Sequence, residues 1–386
     1  MMAQKEKFLI VDVAPDGASA LSLDFNERRE LVFKQVAEKV DFKKFLSSQA
    51  GSIFQKSWEG KSFFNSRRRL VILADPRLAT TIPVPLDFKR DVVVMDEPVA
   101  LGEVEDWLAR ATAKIFPRCR LEAGRRLGTG DIDTVLVGQR IGRTVVDGRI
   151  VADPVGHSGK KISFVIELTF ASRELSEALA PFFNAPGEFF FAEGPQARLA
   201  ALACVKPLPA SIIAANDDGK SSLFILQEAD RGCSVTYREP FPWDASAMIR
   251  SISRDLGVSD SSAEEIYEKY LRREVSDSAK KYLSALIAPV VERFLQALDK
   301  AHLHGSTYLD LPHDLPLQMP YHRHRVMIEE VPVATLLAKF GFLPDEAGKI
   351  SPRMALRYLV PFFELYFDSY HSEINELLRR KLHWLA

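Results

Sequence analysis

The chain has 386 residues, 47% hydrophobic and 27% charged, with a formal net charge of −1. That composition supports more than one folded domain with a real core, and the near-neutral balance excludes recognition of nucleic acid or anionic lipid by bulk charge, leaving only local patches. Three cysteines, Cys119, Cys204 and Cys233, exclude a disulfide framework and a four-thiolate zinc site, and fit a reducing compartment.

The first apolar run, Phe8–Val11, is far shorter than a signal core or a membrane span, so a cytoplasmic chain is expected. Residues 7–13 read as a buried strand, Pro15-Asp16-Gly17 as a turn, and 18–25 as a second strand. Residues 27–58 have helical spacing through Val32, Val36, Val40 and Phe45. A strand follows over 67–74, stopped by Asp75-Pro76. Residues 91–101 read as a strand and 102–128 as a long helix kinked or broken at Pro117. Two strands over 132–154 flank a hairpin signal at Asp147-Gly148. Residues 160–172 alternate Ile162, Phe164, Ile166, Leu168 and Phe170, a further strand. Helix, strand, helix and two strands are expected between Glu174 and Glu228. Helices are expected over 245–257, 261–273 and 276–304, then a strand over 306–312 and helical sequence after Pro352.

Gly156-His157-Ser158-Gly159-Lys160-Lys161 superficially suggests a phosphate cradle. A P-loop needs four residues between its glycines and a helix after its lysine. Here two residues separate the glycines and a strand follows, so the stretch reads as a loop that launches the strand. Cys204, in an apolar helical stretch, reads as core. Five histidines lie between His302 and His324, but their neighbours are prolines and basic residues, so a solvated loop is expected rather than a metal site. The basic run at Arg67-Arg68-Arg69 follows two aromatics and reads as a charged loop before a strand. Near the end, Ile374, Leu377, Leu378, Leu382 and Leu385 fall on one helical face, with Arg379, Arg380 and Lys381 opposite and Trp384 nearby. That is a basic amphipathic helix of the interfacial type. The other reading is a terminal helix docked on its own domain.

Residues 153–170, with Asp153-Pro154-Val155-Gly156 and Gly159 before a strand, resemble the actin-like family of the bacterial cell-division protein FtsA and the type IV pilus protein PilM. The order of strand, helix, strand and strand over 91–172 resembles the subdomain inserted in that family. The resemblance implies an α/β, actin-like (ribonuclease H-like) two-lobed fold. Residues 1–90 and 173–206 would form lobe 1, 91–172 the insert, 207–370 lobe 2, and 371–386 a C-terminal amphipathic helix.

The same resemblance implies ATP and magnesium as cofactors, held by one loop from each lobe. Asp12 and Gly17 match the first loop, but Ala14 and Pro15 replace residues that approach phosphate. Asn216, Gly219, Ser221 and Ser222 match the second, with Asp217 and Asp218 where phosphate would be repelled. Trp243-Asp244 replace a glycine pair. Glu264 matches the adenosine-side helix, but Tyr267 stands at the family lysine. These departures imply a pseudo-ATPase, or weak turnover at most. The implied role is a cell-division adaptor at the inner membrane face, with Leu378, Arg379, Arg380, Lys381, Leu382, Trp384 and Leu385 in contact with lipid. Its implied partners are itself, in polymers or dimers, and an FtsZ-like tubulin homologue or a membrane protein's cytoplasmic peptide, with no nucleic acid. The alternatives are a PilM-like pilus or secretion platform and an active ATPase or sugar-kinase-like enzyme.

Overall fold

A computed structural model describes residues 6–15, 17–25, 29–40, 67–91, 96–151, 153–183, 188–215, 219–228, 234–301, 303–343, 350–367, 374, 375 and 378. The chain divides into two compact units. One holds residues 1–205, 227–236 and 332–386, and the other holds 206–226 and 237–331. Residues 332–343 and 350–367, expected in the second lobe, thus belong to the first unit.

The first unit begins with β1 (Glu6–Ala14) and β2 (Gly17–Phe25), an antiparallel hairpin whose register runs from Glu6↔Phe25 to Ala14↔Gly17. Residues 31–40 form a strand, β3 (Leu31–Val40), and not the expected helix. Apolar residues four apart satisfy a period of two as well as 3.6, and the open edge of β2 decides in favour of the strand. Residues 41–58 lie outside the described residues. Then β4 (Arg67–Ala74) lies parallel to β1 on its other side.

The inserted sheet opens with β5 (Ala79–Lys89), which pairs along its whole length with β8. No strand is described within 91–101, where one was expected: Asp91 and residues 96–100 have none, and 92–95 are not described. Pro83 and Pro85 disguise β5 in the sequence. On a sheet edge, with a spacing of two, both missing N–H groups fall on the unpaired side. Helix α1 (Leu101–Leu127) runs through Pro117 unbroken and ends at Gly128, whose φ is 68°. Its buried Val104, Leu108, Cys119 and Ala123 pack on the sheet. Strands β6 (Thr134–Val146), β7 (Arg149–Val151) and β8 (Lys161–Ser172) complete it, in the order β5-β8-β6-β7. Asp147 and Gly148 take φ of 44° and 82°, as a tight hairpin between β6 and β7 requires.

The glycine-lysine stretch is a filled loop. Gly156 N donates to Val99 O, and the Asp147 carboxylate accepts from Lys160 N at 2.9 Å and Lys161 N at 2.8 Å. These bonds, the Lys160 N–H first, hold Asp147 below the usual carboxylate range. A Cβ on Gly159 would lie 2.5 Å from Val146 Cγ1. The space a phosphate would need is taken by Val146 and Asp147.

After α2 (Arg173–Phe183), β9 (Glu188–Glu193) joins β4 in parallel and leads into the buried helix α3 (Gly194–Leu202). The sheet reads β3-β2-β1-β4-β9. In the second unit and at its border, β10 (Ala210–Ala215), β11 (Ser221–Glu228), β12 (Ser234–Phe241) and β13 (Gly305–Asp310) repeat the arrangement with β14 (Tyr321–Arg323) and β15 (Val326–Ile328). The order is β12-β11-β10-β13-β15-β14, with β10 antiparallel to β11 and parallel to β13, and β13 parallel to β15. In each of these two sheets the first strand carries its hairpin partner on one side and strands parallel to it on the other, β4 and β9 in the first and β13 and β15 in the second, where β14 adds an antiparallel edge. That duplicated ribonuclease H-like order is the actin-like fold.

Helices α4 (Ala247–Leu256), α5 (Asp260–Leu271) and α6 (Asp277–Lys300) bury Trp243, Tyr267 and Phe294 in the second unit. Back in the first unit come α7 (Val333–Lys339) and a further helix, α8. The latter enters as Pro352–Met354, widens into a π-turn over Ala355–Leu359 and resumes as Val360–Phe367. Phe8 and Phe25 of the first hairpin meet Phe342, Phe362 and Tyr366 edge-on, with the Phe8 and Phe362 centroids 4.8 Å apart. Arg69 lies over Phe8 and Tyr366.

Candidate functional site

The first hairpin sets Asp12 opposite Ser19 near its turn. Asp12 is 15% exposed and faces two guanidinium groups. Arg198 Nη2, on the buried helix α3, is 3.4 Å from Oδ1, and Arg357 Nη1 is 3.9 Å from Oδ2. The π-turn of α8 brings consecutive residues to this hairpin: beside Arg357, the Tyr358 hydroxyl shares a 2.6 Å hydrogen bond with Ser19 Oγ. Burial, then the Asp12 charge, raises the Tyr358 pKa. Gly17 closes the hairpin by pairing with Ala14. The carboxylate expected to face magnesium therefore faces protein cations.

In the second unit, Gly219 precedes β11 with φ of 86°. A Cβ there would lie 2.0 Å from Asp244 Oδ1 and 2.8 Å from Ser246 Oγ. Asp244 accepts from Ser246 N at 3.1 Å as α4 begins, and it pairs with Arg250. The close approach that glycine permits is used by a carboxylate, the group a phosphate could least tolerate beside it. Ser221 and Ser222 pair with Ala215 and Ala214. Ser221 Oγ is buried and has no hydrogen-bond partner among the described residues. Asn216, Asp217 and Asp218 lie outside the described residues. Glu264 is half-exposed on α5, 3.8 Å from His313. Tyr267 is fully buried and its hydroxyl donates to Asp314 O at 2.7 Å; burial drives its pKa far up. It plugs the helix where a solvent-reaching lysine would stand.

Neither half-site fits a magnesium–phosphate group. Asp12 is engaged by arginines, Ser19 by Tyr358, and the space beside Gly219 by Asp244. The sequence reading missed Arg198, Arg357 and Tyr358. One signal was available: Arg198 is the single charge in the apolar stretch 194–204.

At the C-terminal end, Leu378 is buried and not at a lipid-facing position: it packs with Ile374 in the core of the inserted sheet. Arg379, Arg380, Lys381, Leu382, Trp384 and Leu385 lie outside the described residues. Cys204, expected in the core, is exposed just past the end of α3, where the helix has stopped burying its turns; Cys119 is buried. Among the described residues, no group of three or more His, Cys, Asp or Glu is placed to hold a metal, and no helix is long and apolar enough to cross a membrane.

No family model and no curated protein matches the chain. Among solved structures it is similar to the PilM-PilN type IV pilus biogenesis complex, at 13% identity over 97% of this chain and 98% of that one, TM-score 0.45. It is also similar to the cytoplasmic domain of EpsL, an inner membrane component of the Vibrio cholerae type II secretion system, at 10% identity over 86% and 94%, TM-score 0.32. A Bacteroides thetaiotaomicron protein with an actin-like ATPase fold matches at 9% identity over 66% and 78%, TM-score 0.31. These similarities are weak, and the fold assignment rests on the strand order repeated in the two sheets.

Proposed function

We propose that the chain is a non-hydrolysing actin-fold adaptor that works at the inner face of a bacterial membrane, joining an envelope machine or cytoskeletal polymer to a membrane protein. The observation that carries this reading is the Asp12 carboxylate set between Arg198 and Arg357. Phosphoryl transfer depends on a metal and positioned donors around the phosphates. An acid already neutralised by two guanidinium groups supplies no metal site. What such a protein contributes is then shape: two mixed sheets and an inserted sheet as the partner-facing element.

The test is phosphate release and calorimetry with magnesium and ATP on the full chain and on Asp12→Ala. The expected result is no release above background from either. ATP turnover that Asp12→Ala abolishes would overturn the proposal.

A second reading is a platform that captures a cytoplasmic peptide of a membrane protein and has no lipid contact of its own. The burial of Ile374 and Leu378 favours it, because an apolar face occupied by protein is not offered to lipid. Retention of the full chain by anionic vesicles would count against this second reading.

A further inference from the structure

Helix α1 buries Val104, Leu108, Cys119 and Ala123 on the inserted sheet and turns two ordered rows outward. Ala109, Ala113, Pro117 and Leu121 stand four apart and are all exposed, Leu121 at 44%. Beside them Arg110, Lys114 and Arg118, also exposed, stand four apart in turn. Residues four apart on a helix form one ridge, with about 6 Å between successive members. The outer face of α1 is thus a small apolar ridge laid against a basic one, and Arg125 carries the charge further along. The stretch 110–126 holds six basic residues and one acid, Glu122, which Arg126 pairs with at 3.0 Å. Lys114, Arg118 and Arg125 make no salt bridge among the described residues. Basic residues in a last turn complement the helix dipole, but that effect ends within the turn and leaves Arg110, Lys114 and Arg118 unexplained.

We propose that the outer face of α1 docks an amphipathic helix of a partner protein, one with carboxylates four apart beside an apolar ridge. The alanines and Pro117 let a second helix approach closely, Leu121 supplies the apolar contact, and the basic ridge meets the carboxylates. Arginine, five of the six basic residues, presents a fork that fits a carboxylate. A lipid surface fits this face less well. The helix is fixed to its sheet on the other side, and its outer ridge has one large apolar residue where interfacial helices carry several. A second copy of the chain also fits less well. The acidic face it could offer is on α5, where Glu268 is paired with Arg272 at 3.0 Å and Glu264 lies 3.8 Å from His313. The proposal rests on the adaptor reading, in that it gives the inserted sheet's helix a partner of stated chemistry.

The experiment titrates the full chain into a fluorescent helical peptide that carries glutamates and leucines on adjacent ridges, each four apart. A second peptide has lysines for the glutamates. Anisotropy should show that the wild-type chain binds the glutamate peptide and not the lysine one. In the variant Lys114→Glu/Arg118→Glu two attractive contacts become repulsive, which should weaken binding at least about tenfold. The control Lys280→Glu/Lys281→Glu makes the same change of charge at exposed positions of α6 and should alter affinity less than about twofold. All four substituted residues are exposed, and amide exchange in β8 confirms that the inserted sheet is intact in each chain. Equal loss in the two variants would overturn the proposal, because bulk charge would then explain the binding. So would a wild-type chain that leaves the glutamate peptide unbound at millimolar concentration. Phosphatidylglycerol vesicles, or a second copy seen by sedimentation, held through Lys114 and Arg118 in place of the peptide would overturn the choice of occupant. Absence of peptide binding leaves the ATP test of the non-hydrolysing site standing, and ATP turnover leaves the peptide result standing, so the two failures are separable.

Discussion

Replacing Asp12 by Asn separates an acid kept as a counter-charge from one kept for a metal. The substitution preserves shape and removes only charge. Arg198 is 3% exposed and loses its charge-assisted contact, worth about 1.5–3 kcal/mol. Arg357 is 29% exposed, and its 3.9 Å contact adds at most about 1 kcal/mol after solvent screening. The first unit should therefore lose about 1.5–4 kcal/mol, with the buried Arg198 contact dominant. An acid held in reserve for a metal behaves in the opposite way: without the metal its removal is neutral or stabilising. Because two units need not unfold together, the measurement is native-state exchange at the Val11 and Val13 amides of β1, which reads the first unit alone. A change within about 0.5 kcal/mol, or a gain in protection, would refute the assignment of Asp12 as a structural counter-charge.

Gly219→Ala should destabilise the second unit by about 1–3 kcal/mol, since φ of 86° strains an alanine and its Cβ collides with Asp244. Exchange at β10 and β11 amides measures this, and wild-type protection in the variant would contradict the filled loop. In a Cys233→Ser chain, a thiol reagent should label Cys204 rapidly and Cys119 only on unfolding, because Cys119 is buried and burial raises its pKa. Two fast-reacting thiols would contradict the packing of α1 on the inserted sheet.

The elements that the sequence reveals most clearly are those with one dominant period. The alternation from Ile162 to Phe170 is β8, and the Asp147-Gly148 hairpin forms where expected. Two errors share a cause. Val32, Val36 and Val40 fit both periods, and only the edge of β2 chooses between them. Pro83 and Pro85 suppress a strand signal, and only the edge position of β5 makes them tolerable. The candidate site was legible as a set of departures, with Pro15, Trp243, Asp244 and Tyr267 standing where small or basic residues are expected. What replaced the missing chemistry was hidden by distance along the chain. Arg198 and Arg357 reach Asp12 from 186 and 345 positions away, and no spacing rule joins them. The contact of the Asn375 amide with Ile141 N and O was hidden for the same reason.

The aromatic contacts between the first hairpin and α8 impose an order of events during synthesis. Phe8 and Phe25 leave the ribosome early, yet the rings that cover them, Phe342, Phe362 and Tyr366, come more than three hundred residues later. At about 5–20 residues per second, the interval lasts tens of seconds. The second unit, whose residues 206–226 and 237–331 are all made within that interval, can complete its core first. The unit that begins the chain is thus the last to close, and through the interval its hairpin presents bare aromatic surface. A folding chain of this design depends on either a chaperone or a slow, reversible collapse of that hairpin until α8 arrives.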